Sequence, residues 1–144
     1  MEKEGLKKRV LDVIKSGKNA FIFSTVDENN CPQSRFMGAF MLEREFTIYL
    51  ETSSSSRKMK QIKNNSGAQL VFFRPDYSEV AIVSGRAAIE ESLEKKKEIW
   101  AHVPSCKDYY PAYDAPEFGV IRFETKKIEY LNPKMQLAPF KITI

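Results

Sequence analysis

The sequence predicts a mainly β domain: a closed or nearly closed antiparallel barrel of six strands, flanked by helices. Three observations carry that expectation. Short β-rich runs recur at regular spacing with turn residues between them. Helical patterns are too few to supply the crossovers that a parallel sheet requires. The 144 residues contain no internal repeat, low-complexity linker or composition break, so residues 1–144 read as a single domain large enough to bury a core.

Leu6, Val10, Val13 and Ile14 follow an i, i+4, i+7, i+8 spacing, which predicts an amphipathic N-terminal helix. Gly17 is placed to end it. Residues 20–26 (AFIFSTV) read as the first strand, and 27–32 (DENNCP) supply turn residues. Residues 33–42 read as a second strand and 45–50 as a third, with a tight turn between them. A helix is expected over 57–64. Residues 69–74 and 79–89 then form a hairpin around Pro75–Ser78. Residues 90–100 read as a helix with acids first and lysines last, in accord with the helix dipole. Residues 101–118, with three prolines and Tyr109, Tyr110 and Tyr113, read as a long loop, the kind that often serves as a lid or binding loop. Residues 119–131 read as a strand pair or one bulged strand, because their apolar parity shifts between Phe123 and Ile128. Met135, Leu137, Phe140, Ile142 and Ile144 make the tail apolar enough to dock on the body or on a partner.

Composition narrows the function classes. No apolar run reaches the roughly 18 residues of a membrane span, and residues 1–10 lack the uncharged core of a signal peptide. A cytoplasmic location without membrane attachment is therefore the expectation. Cys31 and Cys106 are far apart, and His102 is the single histidine, so no zinc site is expected. The net charge of +4 is concentrated in Arg57, Lys58, Lys60 and Lys63. Such a balance permits nucleic acid, but equally a single bound phosphate.

The stretch 49–63, which contains Glu51-Thr-Ser-Ser-Ser-Ser-Arg57-Lys58, is the most informative. A strand runs into four serines, and the serines run into a helix, so hydroxyls, free backbone N–H groups and two cations converge at a helix N-terminus. Cations in a first turn oppose the helix dipole at a cost of about 0.3–1 kcal/mol each, a misfit that a bound phosphate would relieve. The competing reading is a serine-capped surface helix with solvated lysines. Arg35 is the second informative residue. Strict alternation places it with Met37, Ala39 and Met41, opposite Phe36, Gly38, Phe40 and Leu42. A strand with two apolar faces is expected to be covered on both sides. A guanidinium within it needs an anion, from a ligand or from one of the protein's own acids, unless Arg35 lies at an exposed strand end near Gln33 and Ser34.

Arg35-Phe-Met37 on a strand, followed by Ser-Arg57-Lys58-Met-Lys-Gln61-Ile62, Asn-Asn and a Gln-Leu-Val-Phe-Phe strand, resembles the flavin-binding split barrel of the pyridoxamine 5′-phosphate oxidase-like superfamily. The ending Tyr110-Pro…Asp114-Ala-Pro116…Gly119-Val-Ile-Arg-Phe-Glu…Ile128-Glu-Tyr130 is closest to its general stress protein 26 branch. The resemblance covers residues 6 to 131. It implies a homodimer with FMN at the subunit interface and an oxidoreductase chemistry carried by the flavin. By resemblance, Arg57 and Lys58 hold the FMN phosphate, helped by Thr52, Ser53 and Ser56. Arg35 approaches the phosphate or ribityl chain, the backbone of Phe36 and Met37 lies along the isoalloxazine, and Gln61 sits near the cofactor. Trp100 and the Tyr109–Tyr113 loop are candidates to cover the flavin from the second subunit, although Trp100, spaced i, i+7 from Leu93, reads better as a core anchor.

The departures from the pattern are specific. Pyridoxamine-phosphate oxidases place a substrate-binding lysine where this chain has Phe40, and their C-terminal Arg-x-His is absent after residue 119. Leu131 stands where the general stress protein pattern often has Trp, and Glu79 falls near a position where relatives often carry Gln or Arg. The resemblance thus implies FMN with an unidentified small-molecule substrate other than vitamin B6 phosphate, and a nicotinamide as possible reductant. The alternatives are a split barrel using deazaflavin F420 or heme, or a non-catalytic barrel binding a ligand or nucleic acid.

Overall fold

The computed structural model describes residues 2–16, 20–134 and 140–144. The order of elements is α1 (Lys3–Ser16), β1 (Phe21–Val26), β2 (Pro32–Met37), β3 (Phe40–Glu43), β4 (Thr47–Ser53), α2 (Arg57–Asn64), β5 (Gly67–Phe73), β6 (Val80–Ile89), α3 (Leu93–His102), α4 (Cys106–Tyr109), β7 (Phe118–Leu131) and β8 (Phe140–Thr143). The strands form one antiparallel sheet in the order β2-β1-β5-β6-β7-β4-β3, with β8 added to β7. The two end strands of that path, β2 and β3, are consecutive in the chain and joined by Gly38 and Ala39. The sheet therefore curls back on itself. Its interior is pinned by Phe40 of β3, whose ring lies 5.5 Å from Phe21 of β1 and 5.3 Å from Phe72 of β5. Such edge-on aromatic contacts add to burial itself.

The strand count is eight rather than six, for two physical reasons. The run 33–42 breaks at Gly38 and Ala39, and the break reverses the facing of its side chains: Met37 and Phe40 both pack on the barrel core, while Met41 is buried in a second cluster outside it. The strict alternation expected across this run does not survive the bend. The expected cover on both sides also fails within the chain, since Phe36 is 71% exposed. The eighth strand is the tail, whose residues 140–143 pair with Tyr130–Lys127 of the same chain. Gly17, Met135 and Leu137 lie outside the described residues.

Residues 119–131 belong to one long strand with a bulge. Ser84 pairs with Lys127 and Gly85 with Thr125, leaving Lys126 as the extra residue at the parity shift expected there. Gly85 is required at this point, because a Cβ would stand 1.9 Å from the Glu124 carbonyl oxygen. Helix α1 buries Leu6, Val10, Val13 and Ile14 against the barrel as its spacing predicts.

Helix α3 starts later than the acidic run suggests. Glu90 is still tied to β7, its N–H donating to the Val120 carbonyl (2.8 Å) and its carboxylate pairing with Arg122 (3.3 Å). Ser92 then caps the helix, accepting from the Lys95 N–H. Leu93 is consequently exposed, and Ile99 is the buried anchor instead. The segment expected as a plain loop contains the short helix α4, whose Cys106 joins Met41, Tyr49, Ile99, Val103, Phe118 and Val120 in the second core cluster.

Glu79, at the foot of β6, ties α1 to the sheet. Its carboxylate pairs with Arg74 at 2.6 Å and Arg9 at 3.7 Å and accepts from the Tyr130 hydroxyl. The Tyr130 bond, followed by the Arg74 contact, holds this carboxyl below its ordinary value. A carboxyl whose folded-state pKa is depressed stabilises the fold above its unfolded value, and the contribution is lost as pH falls through the folded one. We therefore expect Glu79→Gln to lower stability by about 1–2 kcal/mol at pH 7, with the gap to the parent closing below the ordinary 4.5. Thermal unfolding of both proteins at pH 7 and pH 3 checks this.

Candidate functional site

The site forms where β2, the end of β4, α2 and the α4 segment meet. Helix α2 presents Met59 and Ile62 to the barrel core and buries Gln61 among polar neighbours. Gln61 Oε1 accepts from the Thr25 hydroxyl and from Arg35 Nη2 (3.2 Å). Arg35 Nη1 donates to the Thr25 hydroxyl at 2.8 Å and to the Phe23 carbonyl at 3.2 Å. Every one of these acceptors is neutral. Among the described residues no acid pairs with Arg35, so the ion-pair reading of this arginine is not met.

Lys58 and Arg57 add to the same uncompensated charge. Lys58 Nζ donates to the Thr52 hydroxyl at 2.8 Å, and that hydroxyl is 3.4 Å from Ser56 Oγ. Burial, followed by the like charge of Arg57, pushes the Arg35 guanidinium below its ordinary value. Burial and then Arg35 push Lys58 down, against a smaller upward pull from Glu51. Like charges gathered in a partly desolvated place raise the free energy of the ligand-free protein and favour an anion. The helix end supports this. Ser56 is the N-cap, but its side chain makes no capping bond, and the first turn carries no acid. First-turn N–H groups of α2 thus remain available beside the cations.

Beyond the cation cluster lies a cleft of about 390 Å³ lined by Phe36–Ala39, Glu51–Ser53, Ser105, Tyr109 and Tyr110. Gly119 of β7 lets this wall close up: a Cβ there would meet Met59 Cε and the Thr52 carbonyl at 3.0 Å. Phe36 and Tyr109 form an exposed aromatic rim, 71% and 73% accessible.

The structure brings together nine of the ten residues expected from the sequence: Arg35, Gln61, Thr52, Ser56, Lys58 and Arg57 at the cation cluster, and Phe36, Met37 and Ser53 in the adjoining cleft wall. Trp100 stands apart from them. Its half-buried ring lies edge-on to Phe118 at 5.6 Å and packs on the second core cluster. Beside them stand Thr25, Glu51 and Ser105, which were not among the expected site residues, and Tyr110, which belongs to the Tyr109–Tyr113 loop expected to cover the flavin from a second subunit. Thr25 is buried on the inward face of β1, in line with Phe21 and Phe23, which is a legible signal. Glu51, Ser105 and Tyr110 reach the cleft through the packing of α4 on β4, which no local pattern announces. Glu79, by contrast, is consumed by Arg74, Arg9 and Tyr130.

A curled antiparallel barrel, with a cation-rich helix end beside an open cleft, defines a protein of the split-barrel class. Residues 6–143 match the family described as pyridoxamine 5′-phosphate oxidase like, and the chain belongs to that family. It is 30% identical over 138 residues to general stress protein 26 of Bacillus subtilis (strain 168), covering 92% of each chain. The crystal structure of general stress protein 26 from Bacillus anthracis str. Sterne superposes with a TM-score of 0.78 at 27% identity, over 96% of this chain and 98% of that one. A protein related to general stress protein 26 from Clostridium acetobutylicum gives a TM-score of 0.84 at 21% identity, over 99% and 97%. No helix among the described residues is long and apolar enough to cross a membrane.

Proposed function

We propose that this protein binds FMN and acts as a flavin-dependent oxidoreductase on a small molecule. The observation that carries the reading is the cluster of Arg35, Arg57 and Lys58, with no acid partner among the described residues, beside the free amides of α2. A monoester phosphate supplies the missing charge and accepts several charge-assisted hydrogen bonds at once. The adjoining cleft, walled by the Phe36–Ala39 backbone and the ring of Phe36, fits a planar heteroaromatic group. A distant split-barrel neighbour from Nostoc punctiforme PCC 73102, with a TM-score of 0.71, is an FMN-binding protein.

In this reading Arg57 and Lys58 clamp the phosphate and Thr52 and Ser56 hold Lys58 in place. Arg35, fixed by Gln61, Thr25 and the Phe23 carbonyl, sets the entry angle of the chain that follows the phosphate. Bound FMN supplies the electron and hydride transfer, so the chain's own task is to bind, orient and exclude water. A second copy of the chain covering Phe36 and Tyr109 would complete the homodimer that the resemblance implies, with a reduced nicotinamide as the candidate electron donor. Phe40, in place of the lysine of pyridoxamine-phosphate oxidases, is packed against Phe21 and Phe72 inside the barrel. It leaves no cation there for a vitamin B6 phosphate.

A heme reading has one observation in its favour. His102 borders a separate cleft of about 500 Å³ with the apolar Ala39, Phe40, Leu42, Val103 and Pro104, and a neighbour of TM-score 0.76 from Mycobacterium smegmatis is a heme binding protein. The absorbance spectrum after adding FMN and desalting separates the readings. Retained bands of oxidised flavin support FMN and justify testing NADH and NADPH as reductants. A Soret band transfers the assignment to heme, and no retained chromophore refutes both. Gel filtration of the loaded protein tests the dimer.

A further inference from the structure

Within the flavin reading, on which this inference rests, the cleft also carries information about what the protein acts upon. The cations of the site are all gathered at its phosphate end. The rest of the wall is of opposite character. Glu51, the acid among the residues lining the cleft, stands beside Thr52 on the opposite face of β4. Among the described residues it forms no ion pair. Tyr110 lines the same cleft wall and interacts with its carboxyl. The hydroxyl oxygen of Ser105, on the same wall, is buried without a hydrogen-bond partner and does not cap α4. A carboxylate accepts at up to about four positions, so one donor from Tyr110 leaves most of its capacity open. Wall and rim together offer acceptors backed by the aromatic faces of Phe36, Tyr109 and Tyr110.

We propose that Glu51, Tyr110 and Ser105 form a substrate subsite for a hydrogen-bond-donating, positively charged group, such as an amine carried on an apolar or aromatic body. The site thereby has the reverse preference of one built for a phosphorylated substrate: the position of a phosphate-binding lysine is given to the half-buried Phe40, and the acid faces the cleft instead. The groups around Glu51 fit this polarity. Burial raises its carboxyl above the ordinary value, while Tyr110 and then Lys58 pull the other way. Burial and the nearby Glu51 charge push Tyr110 and Cys106 up to about 12. Both therefore stay neutral around pH 7 and add no charge of their own. An ammonium group entering the cleft would stabilise the carboxylate that burial disfavours, and aromatic faces at the rim attract the same cation.

The test titrates FMN-loaded wild type and Glu51→Gln with benzylamine, benzyl alcohol and benzoate, followed by calorimetry and by perturbation of the flavin spectrum. Benzylamine is expected to bind wild type at least about ten-fold more tightly than benzoate. Glu51→Gln should erase that preference while leaving the affinity for benzyl alcohol unchanged. Benzylamine affinity should fall in wild type, and not in Glu51→Gln, as pH is lowered through the titration of Glu51. If Glu51→Gln does not fold, Glu51→Asp serves, and the preference must persist in it at reduced strength. Benzoate binding as tightly as benzylamine, a preference that survives Glu51→Gln, or no saturable binding of benzylamine to wild type overturns the proposal. Failure of wild type to retain FMN overturns the flavin reading instead, and the same calorimetric titration of flavin-free protein then decides the polarity of the cleft independently.

Discussion

Replacing Arg57 and Lys58 together by alanine is expected to weaken FMN retention by at least about 100-fold while shifting the melting temperature of the flavin-free protein by no more than about 3 °C. The two effects separate because the side chains are asymmetric in what they do. Arg57 is exposed, and among the described residues it forms no ion pair. Lys58 is partly buried and desolvated beside Arg35, so its charge contributes little to the flavin-free fold. Removing it costs the donor to Thr52 and relieves like-charge repulsion, two small terms of opposite sign. A phosphate dianion, by contrast, loses two charge-assisted partners worth about 1.5–3 kcal/mol each. Equilibrium dialysis with FMN and calorimetric melting of the flavin-free protein measure the two quantities. Wild type should also melt higher as FMN is added, by mass action, and the double variant should not. Equal losses in retention and stability would make the cluster a structural feature.

The second large effect is on the fold. Gly85→Ala is expected to destabilise the protein by about 3 kcal/mol, a drop of about 10 °C in melting temperature. The added methyl would stand 1.9 Å from the Glu124 carbonyl oxygen, 2.9 Å from its carbon and 3.0 Å from Thr125 Cα. All three atoms are backbone, so no rotamer change relieves the clash. The strands β6 and β7 would have to part at the bulge, and these are the two longest strands of the sheet. Ala87 and Phe123, buried just beyond the bulge, would be loosened with them. Chemical unfolding of the variant measures the loss. A change below about 1 kcal/mol would mean that the bulge absorbs the methyl by shifting Lys126, the residue left out of register.

Both effects begin from features visible in the chain, and the contrast between what is visible there and what is not follows a physical line. The serine run, the two cations after it and the inward face of 57–64 are local. Helix periodicity and capping chemistry act over a few residues, so the chain itself places Arg57, Lys58, Gln61 and Thr52 together. The parity shift near Lys126 is equally local, as is the amphipathic stripe of α1. Arg35 stands out as a charge in an apolar strand, but its partners have no local signature. Thr25, the Phe23 carbonyl and Gln61 reach it only because β1 pairs with β2 and α2 packs across them.

Two expectations failed where local rules met tertiary ones, and the docking of the tail on the body took a form that no local pattern announces. Alternation through 33–42 is broken by the bend at Gly38 and Ala39, because one run must serve both ends of a curled sheet. Helix α3 begins after Glu90 because β7 claims that residue's N–H and carboxylate first. The tail is a strand because the edge of β7 offers unpaired backbone groups that an apolar segment can satisfy.

Short-range patterns of side-chain type were therefore enough to establish the β class, the positions of most elements, the family and the gathering of cations at the start of α2. The folded arrangement was needed to decide that Arg35 lacks an acid partner among the described residues, that Trp100 belongs to a core cluster, and that Glu51, Ser105 and Tyr110 share one cleft. Those facts depend on which distant segments the closing barrel brings into contact.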